Sequence, residues 1–180
     1  MLIDAAKAFL AVIDVQERLL PVIADNEAVE RNCSILIQAA GQMNVPTVVS
    51  EQYPKGLGKT VPGLADLVKG DAIIPKMEFS CARDPALMKL MEQFGRKQAI
   101  LCGVEAHICV LQTALELQQR GFEVFVAVDA TGSRSQSSKE VARDRMNAAG
   151  ISLVTTEMVV FEMVRTSAAP QFKALSKLIQ

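Results

Sequence analysis

Short runs of apolar residues alternate along the chain with longer stretches whose apolar residues recur at helical spacing. The short runs are rich in Val and Ile, and polar residues, Gly or Pro bound them, as is typical of strands. Their apolar residues are continuous rather than alternating, which predicts strands covered on both faces, as in a parallel sheet. The predicted strands are residues 8–14, 46–51, 72–76, 98–104, 123–130 and 152–157.

Helical periodicity marks most of the stretches between these strands. Asp84 and Pro85 form a typical helix start, and Gly121 follows the end of another predicted helix. The regular alternation of strands and helices favours a three-layer α/β/α sandwich. We therefore expect one domain over residues 1–180, without a linker. The predicted helices are residues 26–43, 62–69, 84–94, 107–120, 136–149 and 170–179.

The charges of the chain favour some partners over others. Nineteen basic and twenty acidic residues give a formal net charge of −1, and no basic run stands out. Nucleic-acid binding usually requires a basic surface, so we expect no nucleic-acid partner. No apolar run approaches the roughly 20 residues of a membrane span, and the first residues lack the basic start of a signal peptide. We therefore expect a cytoplasmic protein that does not contact a membrane.

Four cysteines and one histidine limit the metal and redox chemistry of the chain. A chain with a large core and no secretion signal has little need of disulfides, so we expect free thiols. There is no C-x-x-C pair, and a zinc site would need carboxylates to complete its ligands. No predicted strand is followed by the glycine motif of dinucleotide-binding proteins. We therefore predict no metal site and no cofactor.

Polar side chains stand at the carboxyl ends of several predicted strands, where sheets of this class bind their ligands. Asp14 ends the first strand, Lys76 the third and Asp129 the fifth, while the fourth runs into residues 102–109, CGVEAHIC. An Asp and a Lys at nearby strand ends can pair and so lower each other's cost of burial. Such a pair serves equally well in a catalytic site or as a structural ion pair, and each residue alone could cap a turn or reach water.

Cys109 is the strongest candidate for a nucleophile. If the helix starts soon after the fourth strand, Cys109 lies in its first turn, where free N–H groups and the helix dipole favour a thiolate. Cys102 and Cys33 are expected to be inert core residues. Cys81 stays a weaker candidate. His107 is two residues from Cys109 and faces another side of the helix, which disfavours a Cys–His dyad.

Four segments, spread over almost the whole chain, form a recognisable pattern: AVIDVQERLLP, IPKMEFS, CGVEAHICVLQTALELQQRGFEVFVAVDATGSRS and AAGISLVTTEMVVFEMV. Together they resemble the isochorismatase-like cysteine hydrolases, in particular the branch called isochorismatase domain-containing proteins. The resemblance implies a six-stranded parallel sheet of order 3-2-1-4-5-6 and a catalytic set of Asp14, Lys76 and Cys109. It also implies a cis peptide between Val104 and Glu105, and an oxyanion site formed by the N–H groups of Glu105 and Cys109.

The reaction implied by the resemblance is cleavage of an amide-type C–N bond in a small molecule through a thioester on Cys109. Asp14 would take the thiol proton and return it to the leaving amine, and Lys76 would hold Asp14 ionised. Isochorismate hydrolysis is itself a vinyl-ether cleavage that needs no cysteine nucleophile. The presence of Cys109 therefore favours amide or related C–N chemistry.

Two departures from the family pattern bear on the substrate. Nicotinamidases of the family carry an Asp-x-His and a further His for a metal near the second strand, where this chain has SEQYPKGLG and no histidine. Close relatives commonly have Thr at the position of Ala106, so the fine positioning of substrate is open. By their position, four residues are expected to contact the substrate: Gln16, Tyr53, Phe79 and His107.

Two other functions remain open. A non-catalytic binding or assembly protein on the same fold predicts an ordinary thiol pKa for Cys109. A redox sensor would need Cys81 as the resolving partner of Cys109. In each case we expect a homo-oligomer, because the apolar segments LLPVIA and MVVFEMV exceed what one small surface needs.

Overall fold

Six parallel strands form one sheet in the order β3-β2-β1-β4-β5-β6 in the computed structural model, which describes residues 1–180. The strand order and the helices on both faces agree with the predicted three-layer sandwich, which is confirmed. The strands are β1 (Ala8–Ile13), β2 (Thr47–Gln52), β3 (Ile73–Lys76), β4 (Gln98–Val104), β5 (Glu123–Gly132) and β6 (Ser152–Val154).

Helices connect the strands and cover the sheet. A π-helical turn, Ala106–Val110, leads directly into the fifth helix, and single 3-10 turns occupy Leu20–Val22 and Gly70–Ala72. None of the helices is both long enough and apolar enough to cross a membrane. The helices are α1 (Asn26–Gln42), α2 (Pro54–Leu57), α3 (Pro62–Ala65), α4 (Pro85–Gln93), α5 (Leu111–Gln119), α6 (Gln136–Ala148), α7 (Thr156–Val164) and α8 (Phe172–Leu178).

The core consists of two apolar clusters, one on each face of the sheet. Helices α1, α7 and α8 cover the first, here named the α1 face, and α4, α5 and α6 cover the second, the α5 face. In β1, Leu10 and Val12 point to the α1 face, whereas Phe9 and Ile13 point to the α5 face. Because successive strand residues point to opposite faces, a strand buried on both sides needs a continuous apolar run.

The main difference from the predicted elements lies after β6. The strand predicted over 152–157 ends at Val154, and α7 begins at Thr156. The Thr155 hydroxyl accepts the N–H of Met158 (3.3 Å), and Oδ1 of Asp129 accepts the N–H and hydroxyl of Thr156 (2.8 and 3.0 Å). These contacts cap a helix start. Asp129 lies within β5 rather than at its end, and the helix predicted over 62–69 is the single turn α3.

Candidate active site

A buried ion pair joins the carboxyl ends of β1 and β3. Nζ of Lys76 lies 2.8 Å from Oδ2 of Asp14, and neither side chain has any exposed surface. Asp14 follows β1 with a left-handed backbone (φ 54°), a conformation that Asp adopts more readily than most residues. The carboxylate from one strand thus meets the ammonium from another across the intervening β2.

Neighbouring groups complete the hydrogen bonds of this pair. Ser50 Oγ donates to Oδ1 of Asp14 (2.7 Å), and Nζ of Lys76 donates to Oε1 of Gln52 (2.7 Å) and to the carbonyl of Phe79 (3.2 Å). Each hydrogen of the ammonium therefore has an acceptor. Burial by itself lowers the pKa of Lys76, but the charge of Asp14, the two nearby cysteines and the hydrogen bond to Asp14 together outweigh it, and the pKa is raised. Lys76 is a fixed positive charge.

Cys109 lies beside this pair, in the π-helical turn that leads into α5. It is 5% exposed. Burial raises the pKa of its thiol, the negative charge of Asp14 and hydrogen bonding to Asp14 raise it further, and the charge of Lys76 opposes them. The expectation that the helix start favours a thiolate is therefore wrong. Cys109 rests as a thiol next to a carboxylate that can receive its proton.

Cys81 is a second buried thiol near the same carboxylate. Burial raises its pKa to about 11; the charge of Asp14 adds to this effect, whereas the charge of Lys76 and hydrogen bonds with Ser50 and Thr113 oppose it. Its backbone N–H donates to Thr113 Oγ1 (2.9 Å). Cys81 is thus closer to the centre of the site than its weak signal in the sequence indicated.

The backbone of β4 approaches β1 closely just before the turn that carries Cys109. Gly103 pairs with Ile13, and a Cβ added to Gly103 would lie 2.1 Å from the carbonyl oxygen of Ile13. The φ angle of Gly103 is 107°, so glycine is required both for space and for conformation. The peptide bond that follows, between Val104 and Glu105, is cis. Backbone atoms rather than side chains form this part of the site.

The side chain of Glu105 ties the same turn to the loop after β5. Its carboxylate accepts the backbone N–H of Arg134 (2.9 Å) and the guanidinium Nε (3.1 Å). His107 contacts that loop too, with Nδ1 2.9 Å from Ser133 Oγ, and it forms no hydrogen bond with Cys109. His107 is half-buried at the rim of the site.

The other predicted substrate contacts differ in exposure. Tyr53 and Phe79 are 48% and 54% exposed. Gln16 is fully buried. Its side-chain amide donates to the carbonyls of Gln52 and Gly58 (3.0 and 2.7 Å) and accepts the N–H of Gln52 (2.7 Å). Gln16 therefore joins the end of β2 to the segment at Gly58, and its contact with substrate stays a prediction.

Sequence reasoning missed two residues, Ser50 and Gln52. They lie two positions apart on β2, so both side chains are on one face of the sheet. The available signal was the polar triplet SEQ at the end of an apolar strand. No group of three or more His, Cys, Asp or Glu side chains is placed to hold a metal ion.

Comparison with known proteins identifies the family. Residues 8–158 match the model of the isochorismatase domain. The chain belongs to the isochorismatase family. Isochorismatase domain-containing protein 1 from Salmo salar is 39% identical to this family member over 179 residues, which are 99% of this chain. The chain spans 62% of the length of that salmon protein.

Three solved structures resemble this isochorismatase-family protein closely. A MAR1 ribonuclease from Caenorhabditis elegans has a TM-score of 0.93 at 38% identity, over 99% of this chain and 92% of its own. YcaC from Escherichia coli, described as an octameric hydrolase of unknown specificity, has a TM-score of 0.94 at 27% identity, over 99% and 89%. YcaC from Pseudomonas aeruginosa, with hexane-2,5-diol and covalent acrylamide, has a TM-score of 0.90 at 27% identity, over 99% and 96%.

Proposed function

We propose that this isochorismatase-family protein is a cysteine-dependent hydrolase that cleaves an amide-type C–N bond of a small molecule. The observation that carries the proposal is the contact of the buried Cys109 thiol with Asp14, whose charge is balanced by Lys76. A nucleophile, a base in contact with it and a third group that orients the base make up the arrangement used in covalent catalysis. A purely structural ion pair would not need a thiol against the same carboxylate.

In the first half of the reaction, Sγ of Cys109 attacks the carbonyl carbon and its proton passes to Asp14. The N–H groups of Glu105 and Cys109 stabilise the tetrahedral oxyanion, and donors of this kind contribute about 3 kcal/mol each. The C–N bond then breaks, and the leaving amine takes the proton from Asp14. The acyl group remains on Cys109 as a thioester.

In the second half, water attacks the thioester and gives a proton to Asp14. The C–S bond breaks, the carboxylic acid leaves, and the proton returns from Asp14 to the sulfur of Cys109. Lys76 keeps its own proton throughout, because each hydrogen of its ammonium already has a buried acceptor. Its part is to balance the charge of Asp14 and to favour negative charge on sulfur.

Two relatives support parts of this proposal. Acrylamide is an electrophile, and its covalent presence in YcaC from P. aeruginosa implies a reactive nucleophile in that protein. YcaC from E. coli is octameric, and we propose that this chain also forms a homo-oligomer. The single domain over residues 1–180, the small-molecule substrate and the cytoplasmic location stay predictions.

RNA is a second substrate to test, because the C. elegans neighbour is described as a ribonuclease. The formal net charge of −1 does not favour binding of a polyanion. The cation of the site, Lys76, is buried and fully hydrogen-bonded, so it is not available to a phosphate.

The test is a panel of small primary and secondary amides, with single-stranded RNA alongside, given to the parent, Cys109→Ala and Cys102→Ala. The two variants lose the same atoms from buried thiols on opposite faces of the sheet. We expect turnover of an amide by the parent and by Cys102→Ala, and a loss of about a thousandfold or more in Cys109→Ala. Intact-mass spectrometry should show an acyl adduct that maps to Cys109.

Several outcomes would reject the proposal. Amide turnover by Cys109→Ala at the parent rate would show that Cys109 is not the nucleophile. An inert panel without an adduct would favour the binding or assembly protein. Cleavage of RNA that depends on Cys109, with no amide turned over, would replace the amide with a phosphodiester substrate.

A further inference from the structure

Strand β2 lies between the two strands that carry the ion pair, and we propose that its Ser50 and Gln52 are positioning residues for Asp14 and Lys76. The proposal rests on the hydrolase function above and adds two residues that act through others. Neither belongs to the set of Asp14, Lys76 and Cys109 that the family resemblance implies.

The need for such residues follows from strand spacing. Neighbouring strands lie about 4.8 Å apart, so Asp14 and Lys76 start from strands about 10 Å apart, and Lys76 must lean across β2. Ser50 is the register partner of Ile13, next to Asp14, and Gln52 is the register partner of Lys76. The intervening strand therefore presents one polar side chain toward each member of the pair.

Ser50 fixes the plane of the carboxylate. Its hydroxyl donates to Oδ1 of Asp14 (2.7 Å) while Lys76 occupies Oδ2 (2.8 Å), and its carbonyl accepts the backbone N–H of Asp14 (3.1 Å). A carboxylate accepts about four hydrogen bonds. With one fixed donor on each oxygen, acceptor positions remain for the thiol of Cys109 and for the leaving amine.

Gln52 fixes the ammonium in the same way. Its Nε2 donates to the carbonyl of Met77 (2.8 Å), and its backbone N–H donates to Oε1 of Gln16 (2.7 Å). With the amide nitrogen engaged by Met77, the amide oxygen is left to accept from Lys76 (2.7 Å). Gln16 thus has a use in the site, since it anchors the residue that holds Lys76.

The test for Ser50 is a double-mutant cycle that reads iodoacetamide labelling of Cys109 at about pH 9 by mass spectrometry. Ser50→Ala is made in the parent and in Asp14→Asn. With one donor fewer, the charge of Asp14 is less compensated and opposes the thiolate more strongly, so labelling should slow about three- to tenfold in the parent. In Asp14→Asn, Ser50→Ala should change nothing further. Ser50→Thr keeps the hydroxyl and should label at nearly the parent rate.

A parallel cycle tests Gln52. Gln52→Met removes the acceptor and loosens Lys76, whose charge favours the thiolate of Cys109. We expect labelling to slow about two- to fivefold in the parent and to be unaffected in Lys76→Met. A cooperative urea transition for each variant establishes that the labelled protein is folded.

The outcomes separate this proposal from the hydrolase function. Equal slowing by Ser50→Ala with and without the Asp14 carboxylate would indicate a packing effect and would overturn the positioning role, as would unchanged labelling. Coupled cycles without turnover of any amide would keep the positioning role and reject the hydrolase. Amide turnover with uncoupled cycles would keep the hydrolase and reject the positioning role.

Discussion

Each face of the sheet buries two cysteines, but their surroundings differ. On the α1 face, Cys33 Sγ donates to the carbonyl of Ala130 (3.4 Å) and Cys102 Sγ to the carbonyl of Ala11 (3.9 Å). Cys33 and Cys102 lie beside each other. Backbone carbonyls and apolar groups surround the pair, and the charge of Asp129 also acts on Cys102.

On the α5 face, Cys81 and Cys109 lie near a carboxylate and an ammonium. Hydrogen bonding to Cys33 and burial raise the pKa of Cys102, and burial and Asp14 raise the pKa of Cys109. The direction of the pKa shift therefore does not separate the inert thiol from the proposed nucleophile. The difference is the carboxylate of Asp14 in contact with Cys109, which removes the proton in the proposed reaction.

The largest test of this contrast is Asp14→Asn. We expect amide turnover to fall about a thousandfold, because the base is lost. Labelling of Cys109 by iodoacetamide at about pH 9 should become faster, because removal of the negative charge lowers the pKa of the thiol. A control is Asp129→Asn, since the charge of Asp129 acts on Cys102. This control should leave both measurements on Cys109 unchanged, and parallel changes in turnover and labelling would contradict the assignment of Asp14 as base.

A second test is the stability of the charged environment on the α5 face. Lys76→Met leaves the charge of Asp14 buried without a partner and should reduce the free energy of unfolding by about 3–5 kcal/mol. The control is Lys139→Met, because Lys139 is half-buried without an ion-pair partner and burial lowers its pKa. That change should stay within about 0.5 kcal/mol. Urea unfolding measures the free energy of unfolding of both variants. A small loss in Lys76→Met would indicate that water reaches the ion pair and compensates the charge of Asp14.

The smallest expected effect is on the pH dependence of stability, to which buried thiols on the two faces should contribute equally. The interaction with Cys33 and burial keep Cys102 protonated in the folded protein, and burial keeps Cys109 protonated. Thiols of the unfolded chain ionise at about pH 8.5. The folded state then binds more protons, so its stability is constant below that pH and falls above it. Each thiol should contribute about 1.4 kcal/mol per pH unit. Urea unfolding from about pH 7 to 10.5 should show similar reductions of the slope in Cys102→Ala and Cys109→Ala, and a reduction in only one would separate the faces.

Residues at strand ends were the part of the site that could be predicted from sequence. Asp14 and Lys76 follow apolar runs directly, so their place at one edge of the sheet follows from the strand pattern. The protonation of Cys109 could not be predicted, because the helix start favours a thiolate while burial against Asp14 reverses the effect. That burial depends on how the π-helical turn that carries Cys109 packs against β4 and α6, which local sequence does not encode.

Helix α7 shows the same limit in the fold. The β-branched run VTT, residues 154–156, is typical of a strand, yet its last residue, Thr156, is the first residue of the helix. The groups that start the helix are the Thr155 hydroxyl and the carboxylate of Asp129, which belongs to a different strand. The contact of Asp129 with Thr156 thus favours a helix where the sequence pattern alone predicts a strand.

Gly103 has a practical consequence for anyone who wishes to redirect this protein to new substrates. Even a methyl group at this position would collide with the carbonyl of Ile13, so no side chain can be added to the backbone just before the turn that carries Cys109. Sequence changes are better made at exposed side chains such as Tyr53 and Phe79, which do not belong to β1 or β4. A mutant library at Tyr53 and Phe79 should yield folded proteins with altered selectivity, whereas one at Gly103 should yield chains that do not fold.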